Sequence, residues 1–541
     1  MTGVPRDRNA GTPPAREEWR SETGFPIAAV YGPSDGSEVP SGLGLPGEPP
    51  FTRHIYPSAY RRRPWAPSLY SGFGRPEDAN QRYRYLLKEG NGRANVASDL
   101  PTQIGLDSDD PMAEGEVGRV GVALDSLADF EVMFDQVPLD RIPVSFNVNT
   151  TAPIVLAMLV ATARKQGVDP AAISGTLAND ILHEYLARGT WRYQPEGALQ
   201  LMADVVQFAV SETPRLYPFN IRSILLHESG AHPGQEIGFT FAIACRYIDT
   251  LLDRGLDIDS FAPRMSFFFG MGIHFLEEAA KFRAARRLWS TLMAERYGAR
   301  DPGSLKLRIT SVAPCGSHFT AADPQLNLVR GTLGVLAGAL GGVQAMLGTT
   351  IDEAFDIPTE ETQRLALRTQ QIVALETDVC ATADPLGGSY FVEAMTDAIE
   401  RSAVEEMERV GDSTGVVDAI ATGRAQGYLS DRAYELAQDY AEGRRLKVGE
   451  NIHVSGAMPE LELHEPEPGL YEERIEALAR LRARRDQCAV DRALADVRNA
   501  IKENRNVVPE LVEAALCYAT IGEMSSVLDD VLGTYQQPVV V

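Results

Sequence analysis

Cysteine is scarce in this chain: five residues in 541, at Cys245, Cys315, Cys380, Cys488 and Cys517, with no C-x-x-C pair and an odd total. That count argues against a disulfide framework or a structural zinc site, and it makes a reducing, cytoplasmic setting the expectation. Positive charge is also short. Lys and Arg number 51 against 75 Asp and Glu, a net charge of −24, which argues against nucleic acid or an anionic membrane as the main partner. An anionic small ligand would therefore need a locally basic entrance. Apolar runs stay well below the roughly 18 residues that a membrane-spanning helix requires. The N-terminal stretch is rich in Arg, Glu, Pro and Gly and lacks the apolar core of a secretory signal.

What is present is an alternation. At this length one large domain plus a smaller one is expected. Short apolar, strand-like runs lead into longer helical patterns: VSFNVN (144–149) into APIVLAMLVATARKQGV (152–168), SGTLA (174–178) into NDILHEYLARG (179–189), IRSILL (221–226) into EIGFTFAIACRYIDTLLDRG (236–255). RMSFFFG (264–270) precedes HFLEEAAKFRAARRLWSTLMAERYG (274–298), and LKLRITSVA (305–313) precedes a helix from about residue 323. Such repetition is the signature of βαβ units on a parallel sheet, an α/β fold. Its extent fits an eight-stranded β/α barrel, with a doubly wound open sheet as the alternative that pattern alone leaves standing. Three regions are expected: an N-terminal arm over 1–55, the β/α body over 56–395, and a helical C-terminal region over 396–541, interrupted by the Pro- and Glu-rich MPELELHEPEPG (458–469). The arm is read as an extended segment packed on the body or a partner, with disorder as the other reading.

Longer runs carry a resemblance. YPSAYRRRPW (56–65), LYSGFG (69–74), DLPTQIGLDSDDP (99–111), GEVGRVGVALDSL (115–127) and GTLANDILHEYLARGT (175–190) are followed in order by LDIDSFAPRMSFFFG (256–270), EEAAKFRAARRLW (277–289), IDEAFDIPTEETQRLALRTQQI (351–372) and DPLGGSYFVE (384–393). Together they resemble the methylmalonyl-CoA mutase family of large subunits. The resemblance implies a (β/α)8 TIM barrel whose axis is threaded by an acyl-CoA. Adenosylcobalamin would be held at the C-terminal mouth by a second, flavodoxin-like domain carrying D-x-H-x-x-G. None of the eight histidines stands in that motif, and no second α/β pattern follows residue 393. The corrinoid is therefore expected on a separate cobalamin-binding small subunit, in an assembly built on a homodimer or as a heterotetramer.

The same resemblance assigns residues. Tyr70 is implied as the catalytic tyrosine beside the reacting acyl group. Arg188 is implied as the grip on a substrate carboxylate, for which a planar guanidinium fork is suited. Tyr56, Ser58, Arg63 and Arg264 are implied along the acyl-CoA path, with the run Arg61, Arg62 and Arg63 supplying basic charge. Glu353 is implied at the adenosyl ribose. Plainer readings stand beside these: a packed aromatic, a helix-end arginine, a solvated basic run, and a carboxylate at a helix start.

Departures are equally specific. The family histidine that bonds the thioester carbonyl is Leu225 here, and the family glutamine is Ala178. Ile309 to Cys315 and Met346 to Thr349 replace further polar runs. His227 lies two residues beyond Leu225 and would substitute only if the turn were rebuilt. The expected function is an acyl-CoA mutase large subunit, an isomerase acting on a carboxylated substrate of the methylmalonyl-CoA type. The alternatives are a non-catalytic homologous subunit and a cobalamin-independent enzyme that uses the acyl-CoA channel.

Overall fold

In the computed structural model of the chain, residues 19–33, 42–69, 72–411, 413–454 and 468–537 are described. Nine parallel strand segments carry the fold: β1 (Ala66–Ser68), β2 (Ala94–Val96), β3 (Val144–Phe146), β4 (Gly175–Leu177), β5 (Leu216–Tyr217), β6 (Phe219–Ile221), β7 (Met265–Phe269), β8 (Arg308–Ala313) and β9 (Ala345–Gly348). They form two parallel sheets, in the orders β2-β3-β4-β5 and β6-β7-β8-β9-β1. Only Pro218 separates β5 from β6, so residues 216–221 are one extended stretch that pairs with β4 through its first half and with β7 through its second. The Asn220 amide also donates to the Ala178 carbonyl at 3.0 Å. At the far edges, Gly74 beyond β1 and Ser98 beyond β2 both form parallel bridges with Val122. The fold is α/β with parallel sheets, as the alternation predicts.

Side-chain alternation gives each strand a helix-facing and an inner side. On β7, Phe267 packs edge-on against Trp289 (4.8 Å between ring centroids) and Phe269 against Phe282 (6.0 Å), both on the helix Phe275–Thr291. Ser266, Phe268 and the following Gly270 therefore face inward. On β3, Phe146 joins Phe130 and Phe134 on the helix side, leaving Ser145 and Asn147 inward. The inner groups bond to one another across strands: Thr176 Oγ1 to Ser145 Oγ at 2.8 Å, Asn147 Nδ2 to Asn95 Oδ1 at 3.4 Å. Asn147, Thr176, Tyr217, Thr310, Val312 and Leu347 are only half-buried, although their strands have helices behind them. Inner groups on β3, β4, β5, β8 and β9 thus remain within reach of solvent.

The C-terminal helices exist because the body leaves apolar surface for them. In the helix Ala152–Lys165 every residue from Ala152 to Ala163 is buried, and a helix apolar on all sides must be covered on both. The cover is the helix Val508–Leu516, whose buried Val508, Leu511, Val512 and Ala515 pack against it. The helix Tyr390–Val410 packs in the same way on Pro233–Asp253. One buried arginine anchors this region: Arg474 Nη2, on the helix Leu470–Arg484, reaches Asp125 at 2.8 Å and Asp129 at 2.6 Å. The described part of the N-terminal segment also lies on the body. Arg61 donates to the Ile27 carbonyl at 2.9 Å, and Arg286 to the Phe51 and Thr52 carbonyls at 2.9 and 2.8 Å.

Arg474→Ala leaves two buried carboxylates without their cation, and a loss of about 3–5 kcal/mol is expected in urea unfolding at neutral pH. The exposed Arg480→Ala, which breaks only a surface pair with Glu476, is expected to cost less than about 1 kcal/mol.

Candidate functional site

The loops at the C-terminal ends of β6, β7 and β8 converge on one carboxylate. Glu236, fully buried on the helix Pro233–Asp253, accepts from Ser223 Oγ (3.0 Å) and the Gly270 amide (2.9 Å) on one oxygen. Its other oxygen meets Lys281 Nζ at 2.9 Å and His227 Nδ1 at 3.3 Å. Burial alone would raise this carboxyl, but Lys281 and His227 hold it down at about 2. Lys281, itself without exposure, is pushed up by Glu236 and Glu278 against the effect of burial. The pair is a fixed charge unit at the ends of the strands.

An ionised Glu236 can only accept, so His227 Nδ1 carries the proton between them. His227 Nε2 then faces His318 Nε2 at 3.3 Å, a contact in which one ring must donate and the other accept. Burial, with His227, His274 and lysine charge nearby, depresses His318 to about 3, so it is neutral at physiological pH. Two glycines make room. A Cβ on Gly270 would collide with the His227 side chain, and one on Gly272 would stand 2.9 Å from His318. Because Gly270 is an inward position of β7, the His227 ring lies over the inner face.

Glu353, in the loop after β9, is exposed to solvent, with Gly316 of the loop after β8 close to its side chain. Burial, reinforced by Glu228 and Asp352, pushes its carboxyl up to about 7.

A different set gathers where the strands begin. Arg63 precedes β1, Arg93 precedes β2 and Arg264 precedes β7. Burial, then the Arg63 charge, lowers Arg93, while Tyr217 of β5 opposes the shift; burial likewise lowers Arg264, again opposed by Tyr217. Arg93 Nη1 donates to Ser145 Oγ at 3.3 Å and Arg264 Nη1 to the Ala209 carbonyl at 3.0 Å. Among the described residues no carboxylate pairs with these three, in a protein with a large acidic excess.

The residues singled out from sequence thus fall at two ends of one face. Arg63 and Arg264 lie at the strand starts. Exposed Tyr56 and half-buried Ser58 are on the segment leading there, with Tyr56 tilted against His54 at 5.6 Å. Glu353 lies at the strand ends. Arg188 ends the turn Glu184–Arg188 after β4, with Nη1 3.4 Å from Glu184 Oε1. Tyr70 lies outside the described residues. Sequence reading missed Arg93, Glu236, Lys281 and His318, and it set His227 aside. The available signal was the pair of glycines after MSFFF, each followed by a larger residue.

Arginines thus gather at the starts of the parallel strands and a His–Glu–Lys cluster at their ends. The chain belongs to the methylmalonyl-CoA mutase family: the family model described as methylmalonyl-CoA mutase matches residues 20–534. It is 38% identical over 528 residues to the 2-hydroxyisobutanoyl-CoA mutase large subunit of Aquincola tertiaricarbonis, covering 97% of this chain and 94% of that one. It is 37% identical over 516 residues to methylmalonyl-CoA mutase of Escherichia coli strain K12, covering 95% of this chain and 72% of that enzyme. Against the human mitochondrial enzyme the identity is 33%, over 96% of this chain and 69% of the relative. The chain is an acyl-CoA mutase large-subunit homologue.

The raised Glu353 carries a pH signature. Its carboxyl binds a proton more tightly folded than at its ordinary value of 4.5, so its contribution to stability falls as pH rises from 4.5 to about 7. Glu353→Gln is expected to raise the calorimetric Tm at pH 8 and to leave it unchanged near pH 4.

Proposed function

We propose that this chain is the large, acyl-CoA-binding subunit of an adenosylcobalamin-dependent mutase that rearranges the carbon skeleton of a short acyl-CoA, working with a separate cobalamin-binding small subunit. The observation that carries this reading is the open inner face, with unpaired-by-carboxylate arginines at one end and the Glu236 cluster at the other. Counting residues 216–221 as one strand gives eight, and the Val122 bridges join the outer two. That order fits closure into a (β/α)8 barrel, body of the three-part chain expected from sequence. Ordinary barrels of this kind are filled by Val, Ile and Leu. Small polar inner groups leave room for the slender arm of an acyl-CoA.

In this reading Arg63, Arg93 and Arg264 hold the CoA phosphates, with Tyr56 and Ser58 beside the entrance. The acyl group then lies near the strand ends, and Tyr70 takes the role of the catalytic tyrosine. A carboxylated acyl group, as in methylmalonyl-CoA, would meet Arg188, which must leave Glu184 to grip it with both nitrogens. The carboxyl of Glu353, poised near neutrality and open to solvent, fits the hydroxyls of an adenosyl ribose as donor or acceptor. When bound, adenosylcobalamin supplies the radical chemistry of the rearrangement. This chain binds and orients the substrate and keeps water from it. A cytoplasmic assembly, a homodimer carrying small subunits or a heterotetramer, fits the reading.

A second reading, a non-catalytic homologous subunit, is favoured by one observation: Ala178, Leu225 and Leu347 are apolar where the strands end.

The test is CoA binding to the full chain by calorimetry. Arg93→Ala is expected to weaken CoA roughly tenfold or more, by loss of a charge-assisted contact. That difference shrinks at high salt. Unchanged affinity, or no CoA binding by the parent chain, would contradict the reading. Turnover on addition of a corrinoid protein co-purified from the native cells separates the enzyme from the non-catalytic subunit.

A further inference from the structure

We propose that the His227–His318 pair recognises a hydroxyl on the acyl group, and that the acyl-CoA taken by this chain is a hydroxyacyl-CoA rather than a carboxylated one. The inference rests on the acyl-CoA reading above.

The geometry fixes the protons. His227 Nδ1–H is committed to Glu236, whose own position is set by Ser223, the Gly270 amide and Lys281. In the arrangement that leaves His227 Nε2 a lone pair, the 3.3 Å contact is made by His318 Nε2–H donating to it. His318 Nδ1 is then a lone-pair acceptor, and it makes no hydrogen bond among the described residues. An acceptor built in this way suits an O–H donor. It offers nothing to a carboxylate, which can only accept.

The surroundings agree. The His318 loop stands beside Glu353: a Cβ on Gly316 would come within 3.1 Å of the Glu353 side chain. Glu228 adjoins His227 in the chain, and Glu228 and Asp352 both press on Glu353 electrostatically. A substrate carboxylate beside Glu353 would meet the charge of Glu228 and Asp352. The cation assigned to a carboxylate, Arg188, is already answered by buried Glu184. Lys281 is spent on Glu236 and Glu278. Arg222, on the inner face of β6 with its guanidinium 5.1 Å over the Phe268 ring, and Lys447, whose Nζ donates to the Ser317 and Phe319 carbonyls at 3.1 and 2.7 Å, are further positive groups near the strand ends.

The experiment measures binding of 2-hydroxyisobutanoyl-CoA, isobutanoyl-CoA, methylmalonyl-CoA and CoA to the full chain by calorimetry. The hydroxyacyl-CoA is expected to bind about tenfold more tightly than isobutanoyl-CoA, the worth of one well-made hydrogen bond. His318→Phe should erase that difference while CoA itself still binds as in the parent chain, which a purely structural role would not do. His318→Gln, which keeps an acceptor oxygen, should restore part of it. Equal binding of the hydroxylated and plain acyl-CoAs overturns the proposal. So does tightest binding of methylmalonyl-CoA that is lost in Arg188→Gln, Arg222→Gln or Lys447→Gln. Failure of every ligand, CoA included, instead overturns the acyl-CoA reading and this inference with it.

Discussion

The structure of the site depends on an ionised carboxylate kept out of water. Glu236 has no exposure, and neither has its cation Lys281. Removing two charges from water costs several kcal/mol each, and their attraction offsets that only when the remaining hydrogen-bonding capacity is also met. Here it is met by Ser223, Gly270 and His227 on the glutamate and by the Gly270 carbonyl (2.8 Å) and Glu278 (2.6 Å) on the lysine. The same bonds tie the end of β7 to the loop after β6 and to two helices behind the sheet. They also fix which nitrogen of His227 is protonated. The orientation of the His227–His318 pair is therefore a consequence of a buried ion pair.

The second constraint is the inner face. An interior of Ser, Thr and Asn is tolerable because its groups bond across strands and because water or a ligand can reach the rest. A core of large aliphatic residues would be more stable and would leave no passage. The apolar burial lost there is recovered outside, where the helix Ala152–Lys165 is wrapped on both sides and Phe241, Phe267 and Trp289 pack together. The sheet thus puts its apolar packing on the helix side and its polar groups on the inner side.

Much of this was legible in the sequence. The alternation of apolar runs and helical patterns gave the parallel α/β fold, because each strand covered on its outer face by helices must be apolar at every second position at least. The long matching runs gave the family, and the resemblance drew attention to Arg63, Arg264 and Glu353. Arg93 was hidden because a single arginine between glycine-rich turns has no pattern of its own. Glu236 and Lys281 were hidden because helix charges ordinarily face solvent. His318 lies 91 residues from its partner, and spacing carries no sign of a contact made across two strand-end loops. His227 was judged against the family position at Leu225. In the structure the chain turns into the short helix Ile224–Glu228, which brings His227 over Gly270.

The most direct measurement is a crystal structure of the full chain with an acyl-CoA. The account predicts density along the inner face, with the CoA phosphates against Arg63, Arg93 and Arg264 and the acyl group beside His318. A ligand bound on the outer surface, or lying in the opposite direction with its phosphates at the strand ends, would contradict it.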